Sequence, residues 1–335
     1  MLLHGLPLVL VATAAAVEGP LALVQTINMP DVPAGAYADH MAIDVKGGRL
    51  FTTPQAERAV VVLDLKAGKV LRTIRGFVNP HTLLYRADRG RLYVTDGKGE
   101  LVIVDAVSYR RLKSIPLEAD ADEAGYDPRT GLFYVGNGGD EAGKAYSLVS
   151  VIDTTAETKI DDIRIKTPSL EGMVVDGLQN RLYLNLPGNH AIGVVDLGSR
   201  ALVDRWPVKL ASRNEAFAID AVQHLLFVGC NDGDMRGRLV VIDTRTGREL
   251  QSLPLGSWVD GMHYDTRRQR LYASTGIGEI FSYQRAADGK LQPLAAVDTA
   301  VMARTSLFSA ELDRLFVMVP HLGWTPAKVL VFRPE

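Results

Sequence analysis

Seven ionisable residues stand at equivalent places along this chain: Asp39, His81, Asp122, Glu171, Glu215, Asp260 and Arg304. Each lies ten residues before the anchor of a recurring motif, an Arg or Leu that opens an apolar stretch. Five of the seven are carboxylates, and the next position carries His40, Thr82, Glu123, Gly172, Ala216, Gly261 and Thr305. Carboxylates brought together from consecutive repeats repel one another unless protons or a cation relieve them. Glu171, Glu215 and Asp260 are the candidate metal ligands, and hard oxygen donors of this kind suit one Ca²⁺ or Mg²⁺ ion. His40 and His81 would shift the preference to a transition metal if they join the site. His81 or Asp122 is placed to act as a general base on water. Arg304 is a candidate partner for Asp39 or for an anionic group on a ligand. Asp39, His40 and Glu123 complete the candidate ligand-binding set. Direct binding of an organic cation is a further use of the same charges, and an ordinary solvated ring of charges is the plain alternative.

These residues owe their equivalence to a repeat. Seven motifs recur in order: HMAIDVKGGRLF, LLYRADRGRLYV, AGYDPRTGLFYV, GMVVDGLQNRLYL, FAIDAVQHLLFV, MHYDTRRQRLYA and SLFSAELDRLFV. Their anchors are Arg49, Arg91, Leu132, Arg181, Leu225, Arg270 and Arg314, 41 to 49 residues apart, a period that belongs to propeller blades. Each motif reads as two apolar strands joined by a short turn. A third strand ends in Asp64, Asp105, Asp153, Asp196 or Asp243, and a tight turn leads to a fourth such as VLRTI or ELQSL. Four antiparallel strands per repeat predict an all-β, seven-bladed β-propeller. The first strand of a blade lies nearest the central channel, so the ionisable positions should circle one mouth of it. The last repeat stops after its third strand. LALVQTINM at 21–29 resembles the outer strands and is expected to close the last blade, Leu23, Val24 and Ile27 pairing with 328–332.

The stretches GRLYVTD, GLFYVGN and VSVIDT resemble the YVTN repeats of YncE-like and surface-layer propellers, over about residues 20 to 335. The resemblance implies the propeller fold. Its relatives include lactone hydrolases, enzyme subunits and binding proteins, so it does not select an activity. One departure is visible: a Pro shortly before the first strand, frequent in the family, is matched only by Pro80.

The N-terminal run LPLVLV followed by Ala-rich residues reads as a signal peptide over 1–18, though no Lys or Arg precedes it, leaving one propeller domain over 19–335. The expected location is therefore periplasmic or extracellular. The net charge of −2 gives no basic excess for nucleic acid, and no later stretch is apolar for long enough to span a bilayer. Cys230 is the one cysteine, so no intramolecular disulfide forms. GGDEAGKA at 138–145 lacks the Ser/Thr of a phosphate loop, and CNDGDMRG, with Asp232 and Asp234, lacks the spacing of a calcium hand. His224 is expected in an exposed turn and His263 as a satisfied core histidine, while His190 and His321 sit in loops that open on the mouth. Two activities fit these residues. One is binding of a small ligand, a metal or a protein partner through the mouth. The other is metal-dependent hydrolysis of a lactone or related ester, with elimination on the same site as a variant.

Overall fold

The computed structural model describes residues 19–35, 37–233 and 235–335; the expected signal segment at 1–18 and Asp234 lie outside them. Seven antiparallel sheets form the molecule, six with four strands and the sixth blade with a fifth short one. The first strands of the blades are Ala38–Asp44, Pro80–Arg86, Ala124–Asp127, Glu171–Asp176, Asn214–Asp220, Val259–Asp265 and Ser306–Ser309. Those of blades one and two, and of blades three to seven in succession, neighbour one another, and blade seven meets blade one. The sequence therefore predicted the fold class as found. No helix among the described residues is long and apolar enough to cross a membrane.

Local chemistry explains why the repeat folds this way. The first strand of five blades ends in an Asp whose carboxylate accepts backbone N–H groups of the following turn: Asp44 from Gly47, Asp127 from Arg129, Asp176 from Leu178 and Gln179, Asp220 from Gln223, and Asp265 from Arg267. In blade seven the Ser309 hydroxyl does the same for Leu312. The last turn residue is left-handed in every blade. Glycine fills it at Gly48, Gly90 and Gly131, while Asn180, His224, Gln269 and Asp313 adopt φ of 53 to 55° there. His224 is accordingly half-buried in its turn, with Nδ1 enclosed, rather than exposed as expected.

Two residues past each anchor stands an aromatic: Phe51, Tyr93, Tyr134, Tyr183, Phe227, Tyr272 and Phe316, all at most 2% exposed. Each side chain of this size contributes roughly 1.5–3 kcal/mol on full burial. The core sits between adjacent blades. One cluster joins Leu50 and Val61 of blade one to Phe316 and Val329 of blade seven.

The last blade is completed from the other end of the chain. Leu21–Asn28 pairs antiparallel with Lys328–Pro334, placing Leu23 opposite Phe332 and Ile27 opposite Val329. Val24 falls in a bulge between Leu23 and Gln25, so it faces solvent instead of pairing as expected. Arg270 adds a clasp from blade six, donating to Pro20 O at 3.2 Å and Glu335 O at 2.8 Å. The outer edge of blade six departs from the repeat. Leu291–Pro293 and Val297–Asp298 pair with different parts of Glu279–Arg285, with Pro293 at the end of the first segment.

Removing residues 1–29 exposes the backbone of Lys328–Pro334 as a free apolar edge. Light scattering should show aggregation of the truncated protein, and its melting temperature should drop by several degrees or more. A monodisperse truncation that melts like the full chain would contradict this closure.

Candidate functional site

The mouth is built by a distortion at the start of the first strands. Pairing slips between Ala38 and Met41, Pro80 and Leu83, Glu171 and Met173, Asn214 and Ala216, and Val259 and Met262. Such a bulge breaks the alternation of side chains and re-aims them. That is how two consecutive residues, Asp39 and His40, both reach the same cluster. In blade three the ladder begins only at Ala124, which leaves Asp122 and Glu123 ahead of it. Hydroxyl groups brace this region between blades. Thr53 Oγ1 lies 3.1 Å from His40 O and 3.0 Å from His81 O, Thr95 Oγ1 donates to Asp122 O at 3.1 Å, and Thr305 Oγ1 lies 2.8 Å from Ala38 O. Glycine is required where neighbouring strands crowd together. A Cβ on Gly172 would lie 2.4 Å from Glu215 O, and one on Gly261 would lie 2.2 Å from Ser306 Oγ.

The ring residues meet as a network of ion pairs. His81 Nδ1 lies 2.7 Å from Asp39 Oδ2 and 3.2 Å from Asp122 Oδ1, and its Nε2 lies 2.7 Å from the Asn79 amide. His40 Nε2 bonds Glu123 Oε1 at 3.1 Å and stands 3.4 Å from Asp39 Oδ1. Arg304 Nε lies 3.5 Å from Asp260 Oδ2, and its guanidinium stacks 5.4 Å from the Tyr37 ring. The expected pairing of Arg304 with Asp39 gives way to Asp260, since His40 and His81 already flank Asp39. Ligand atoms that lie within 4.8 Å of one another form two groups among the described residues: Asp39–His40–Asp122 and His40–Glu123–Asp260. Of the expected metal ligands, Asp260 belongs to such a group, whereas Glu171 and Glu215 belong to neither.

Burial opposes charge throughout the mouth, and neighbours decide the outcome. It pushes His81 down, but the Asp122 and Asp39 carboxylates overcome this and raise it to about 9. His40 is likewise raised well above the ordinary range despite burial, by Glu123 and Asp39. Asp39 is held below the usual carboxylate range, because His40 and His81 outweigh its burial. The remaining acids go the other way. Burial, with Glu123, Asp122, Glu215 and Asp260 around it, lifts Glu171 to about 9, and burial foremost raises Asp122, Glu215 and Asp260. The mouth thus holds cationic side chains and acids with raised affinity for protons side by side.

A cavity of about 170 Å³ lies among these residues, lined by His40, Glu123, Glu215 and Asp260 and by Met173, Phe217 and Met262. Two further polar residues line it that the sequence reading left out of the site, His263 and Ser306. His263 was expected to be a satisfied core residue. Its Nε2 is instead buried without a hydrogen-bond partner, and burial lowers the ring to about 4, leaving it neutral. Its place seven residues before the anchor Arg270, where other repeats carry residues such as Ala42, Leu84 and Ala218, was the signal available. His190 is exposed, and His321 Nδ1 bonds Val32 O at 2.8 Å; neither lines the cavity. Cys230 is fully buried, which raises its thiol.

No family model matches the chain, and no curated protein matches it. Solved structures do. Hydrazine synthase of Kuenenia stuttgartiensis superposes with a TM-score of 0.73 at 17% identity, covering 86% of this chain and 93% of that one. A chain of a mitotic checkpoint complex gives 0.76 at 14% identity, over 99% of this chain and 98% of that one. The WD40 repeats of RRP9 give 0.75 at 10% identity, over 95% and 99%. At these identities the likeness shows the seven-bladed propeller fold and carries no activity with it.

The raised groups set a pH dependence. His81, at about 9 when folded against 6.5 ordinarily, contributes stability that is complete below pH 6.5 and lost as pH rises through 9. Glu171, at about 9 against 4.5, keeps its proton when folded while the unfolded chain has released it, so stability again falls as pH climbs to 9. Both act in one direction. Melting temperature should drop by several degrees between pH 6.5 and 9, and Glu171→Gln should flatten that drop while changing little below pH 4.5, where Glu171 is protonated in both states. A wild-type melting temperature that is constant or rises over this interval would contradict the assignment.

Proposed function

We propose that this protein is an exported, YVTN/YncE-like binding propeller that takes a cation at its channel mouth, in the periplasm or outside the cell. The observation that carries the reading is the convergence of His40, Glu123 and Asp260, whose ligand atoms come within 4.8 Å of one another on the wall of the cavity. Carboxylates of this density call for positive charge, and the proton retained by Glu171 marks where it is short. A divalent ion is the simplest such ligand. The mixed imidazole and carboxylate donors favour a transition metal over Ca²⁺ or Mg²⁺. The repeat signatures GRLYVTD and VSVIDT support the family assignment, and the Ala-rich N-terminal run supports export. A protein partner on the mouth face is in keeping with the assembly that gave one of the similar structures, the mitotic checkpoint complex.

Hydrolysis of a lactone is less well supported by the geometry. The candidate base His81 has Asp39 and Asp122 at one nitrogen and Asn79 at the other. It is held as a fixed positive charge, whereas a general base needs a free lone pair facing its water. Asp122 is engaged with the same imidazole.

Melting curves with Zn²⁺, Mn²⁺, Ca²⁺ and Mg²⁺, each against a chelator, test the metal. A bound ion raises the melting temperature once its concentration exceeds its dissociation constant. Zn²⁺ or Mn²⁺ at millimolar levels should raise it by a few degrees, and Glu123→Gln should remove most of that shift. Absence of any shift would exclude the metal, and absence of a shift with organic cations as well would exclude the cation-binding reading.

A further inference from the structure

We infer that two copies of this protein associate through an uncharged patch on the mouth face, formed where blade seven meets blade one and centred on Trp324. None of the ring residues belongs to this patch, so the association does not depend on a bound cation.

Two loops build the patch. The first strand of each blade starts at the mouth and its neighbours alternate in direction, so residues 320–327, which join Arg314–Val319 to Lys328–Pro334, lie on that face. Residues 29–37 lie beside them, on the way from the outer strand of blade seven to Ala38–Asp44. Hydrogen bonds lock the two loops together: Met29 N to Ala327 O at 2.9 Å, Gly35 N to His321 O at 2.8 Å and His321 Nδ1 to Val32 O at 2.8 Å. The Gln55–Glu57 turn of blade one packs against them, so closely that a Cβ on Gly35 would lie 2.5 Å from Ala56 Cβ. Leu322 and Thr325 exchange both backbone hydrogen bonds at 3.0 Å, which makes Gly323 and Trp324 the tip of a tight hairpin, Gly323 being left-handed at φ 58°. Trp324 is thus held out on a braced support and is fully exposed, with Tyr37 and Leu322 exposed beside it. Aromatic and aliphatic side chains grouped in this way on a surface mark an interaction site. Loops that are already ordered lose little conformational freedom on binding.

Charge selects the partner. Residues 32–38 read VPAGAYA and residues 320–327 read PHLGWTPA, with no Asp, Glu, Lys or Arg in either. The corresponding loops of blades one, two, three and five hold Arg58, Lys98, Glu141 and Arg236. Two ion pairs at the border are already made: Arg304, stacked on Tyr37, meets Asp260, and Glu57 meets Arg75. Asp31 and Arg58 remain at the rim, one charge of each sign, both exposed and neither in an ion pair among the described residues. A fitting partner therefore has an uncharged apolar centre and one charge of each sign at its edge. The same patch on a second copy has this composition. In a two-fold pair each copy offers the other an apolar face at the centre and the opposite charge at the rim. A basic segment would meet a centre with no acid, and a lipid surface would leave the rim charges unmatched. Two loops make an interface at the small end of the range for specific complexes, so a micromolar dissociation constant is expected.

Sedimentation velocity on the full chain, from about 1 to about 200 μM, should show a monomer–dimer equilibrium. Trp324→Ser should raise the dissociation constant at least about thirtyfold, the loss expected of a hot-spot tryptophan. An indole this exposed has little packing to lose, so the variant should melt with the wild type at concentrations where both are monomeric. Arg58→Asp should also weaken the dimer, by setting like charges against each other, and adding Asp31→Arg should restore it. Asp tolerates the left-handed backbone at Arg58, whose φ is 51°. Val222→Ser, at an exposed apolar site in a turn on the opposite face, should leave the dimer unchanged. A wild type that stays monomeric throughout would overturn the inference, and binding of that monomer to phosphatidylcholine vesicles would assign the patch to a lipid surface instead. A dimer undiminished by Trp324→Ser, or equally weakened by Val222→Ser, would overturn it too, and failure of the double variant to recover would overturn the two-fold pairing. Metal-dependent melting is a separate readout. A monomer that binds ions leaves the cation-binding reading standing, and a dimer that binds none leaves the association standing.

Discussion

Everything in this molecule depends on closing a ring of seven sheets about one axis. Each sheet twists, and its two faces can be covered only by its neighbours, so no blade is stable by itself. The aromatic residues two places after the anchors, from Phe51 to Phe316, are the wedges that set the distance between blades. Once the ring closes, equivalent residues of the first strands fall at one height around the channel. The crowding of charge at the mouth follows from that symmetry: a carboxylate tolerable at the edge of one blade becomes costly when four successive blades supply one.

The protein meets that cost unevenly. Blades one and two place His40 and His81 among Asp39, Asp122 and Glu123, and blade seven brings Arg304 to Asp260. Glu171 has only carboxylates around it and is lifted to about 9. The result is a polarised mouth. One side is a network in which imidazoles and a guanidinium meet carboxylates.

Most of the fold was legible in the sequence because the repeat states the same physics seven times. The Asp that caps the first turn, the left-handed residue before each anchor and the alternation of the strands confirm one another, and register propagates from them. That register also pointed to Asp39, Asp122 and Asp260, which the structure brings together with His40 and Glu123. What the sequence concealed were effects with no compositional trace. A bulge at Ala38–Met41 or Val259–Met262 adds no telling residue, yet it decides which of two adjacent side chains faces the channel. The partner of Arg304 depended on how Asp39 was already occupied. Val24 left the closing ladder through a bulge of the same kind. His263 read as core because its strand is apolar, and only the cavity beside it shows its nitrogen to be unpaired.

The clasp between Leu21–Asn28 and Lys328–Pro334 also governs when the native state can form. Its two strands are separated by nearly the whole chain, so their pairing carries the largest loop-closure entropy in the molecule. Blades one to six can assemble from local contacts while the ring remains open. The final sheet is completed only when Lys328–Pro334 meets Leu21–Asn28, and until then one apolar blade face and one strand edge stay bare. Vulnerability to misassembly is therefore greatest before this single long-range pairing forms.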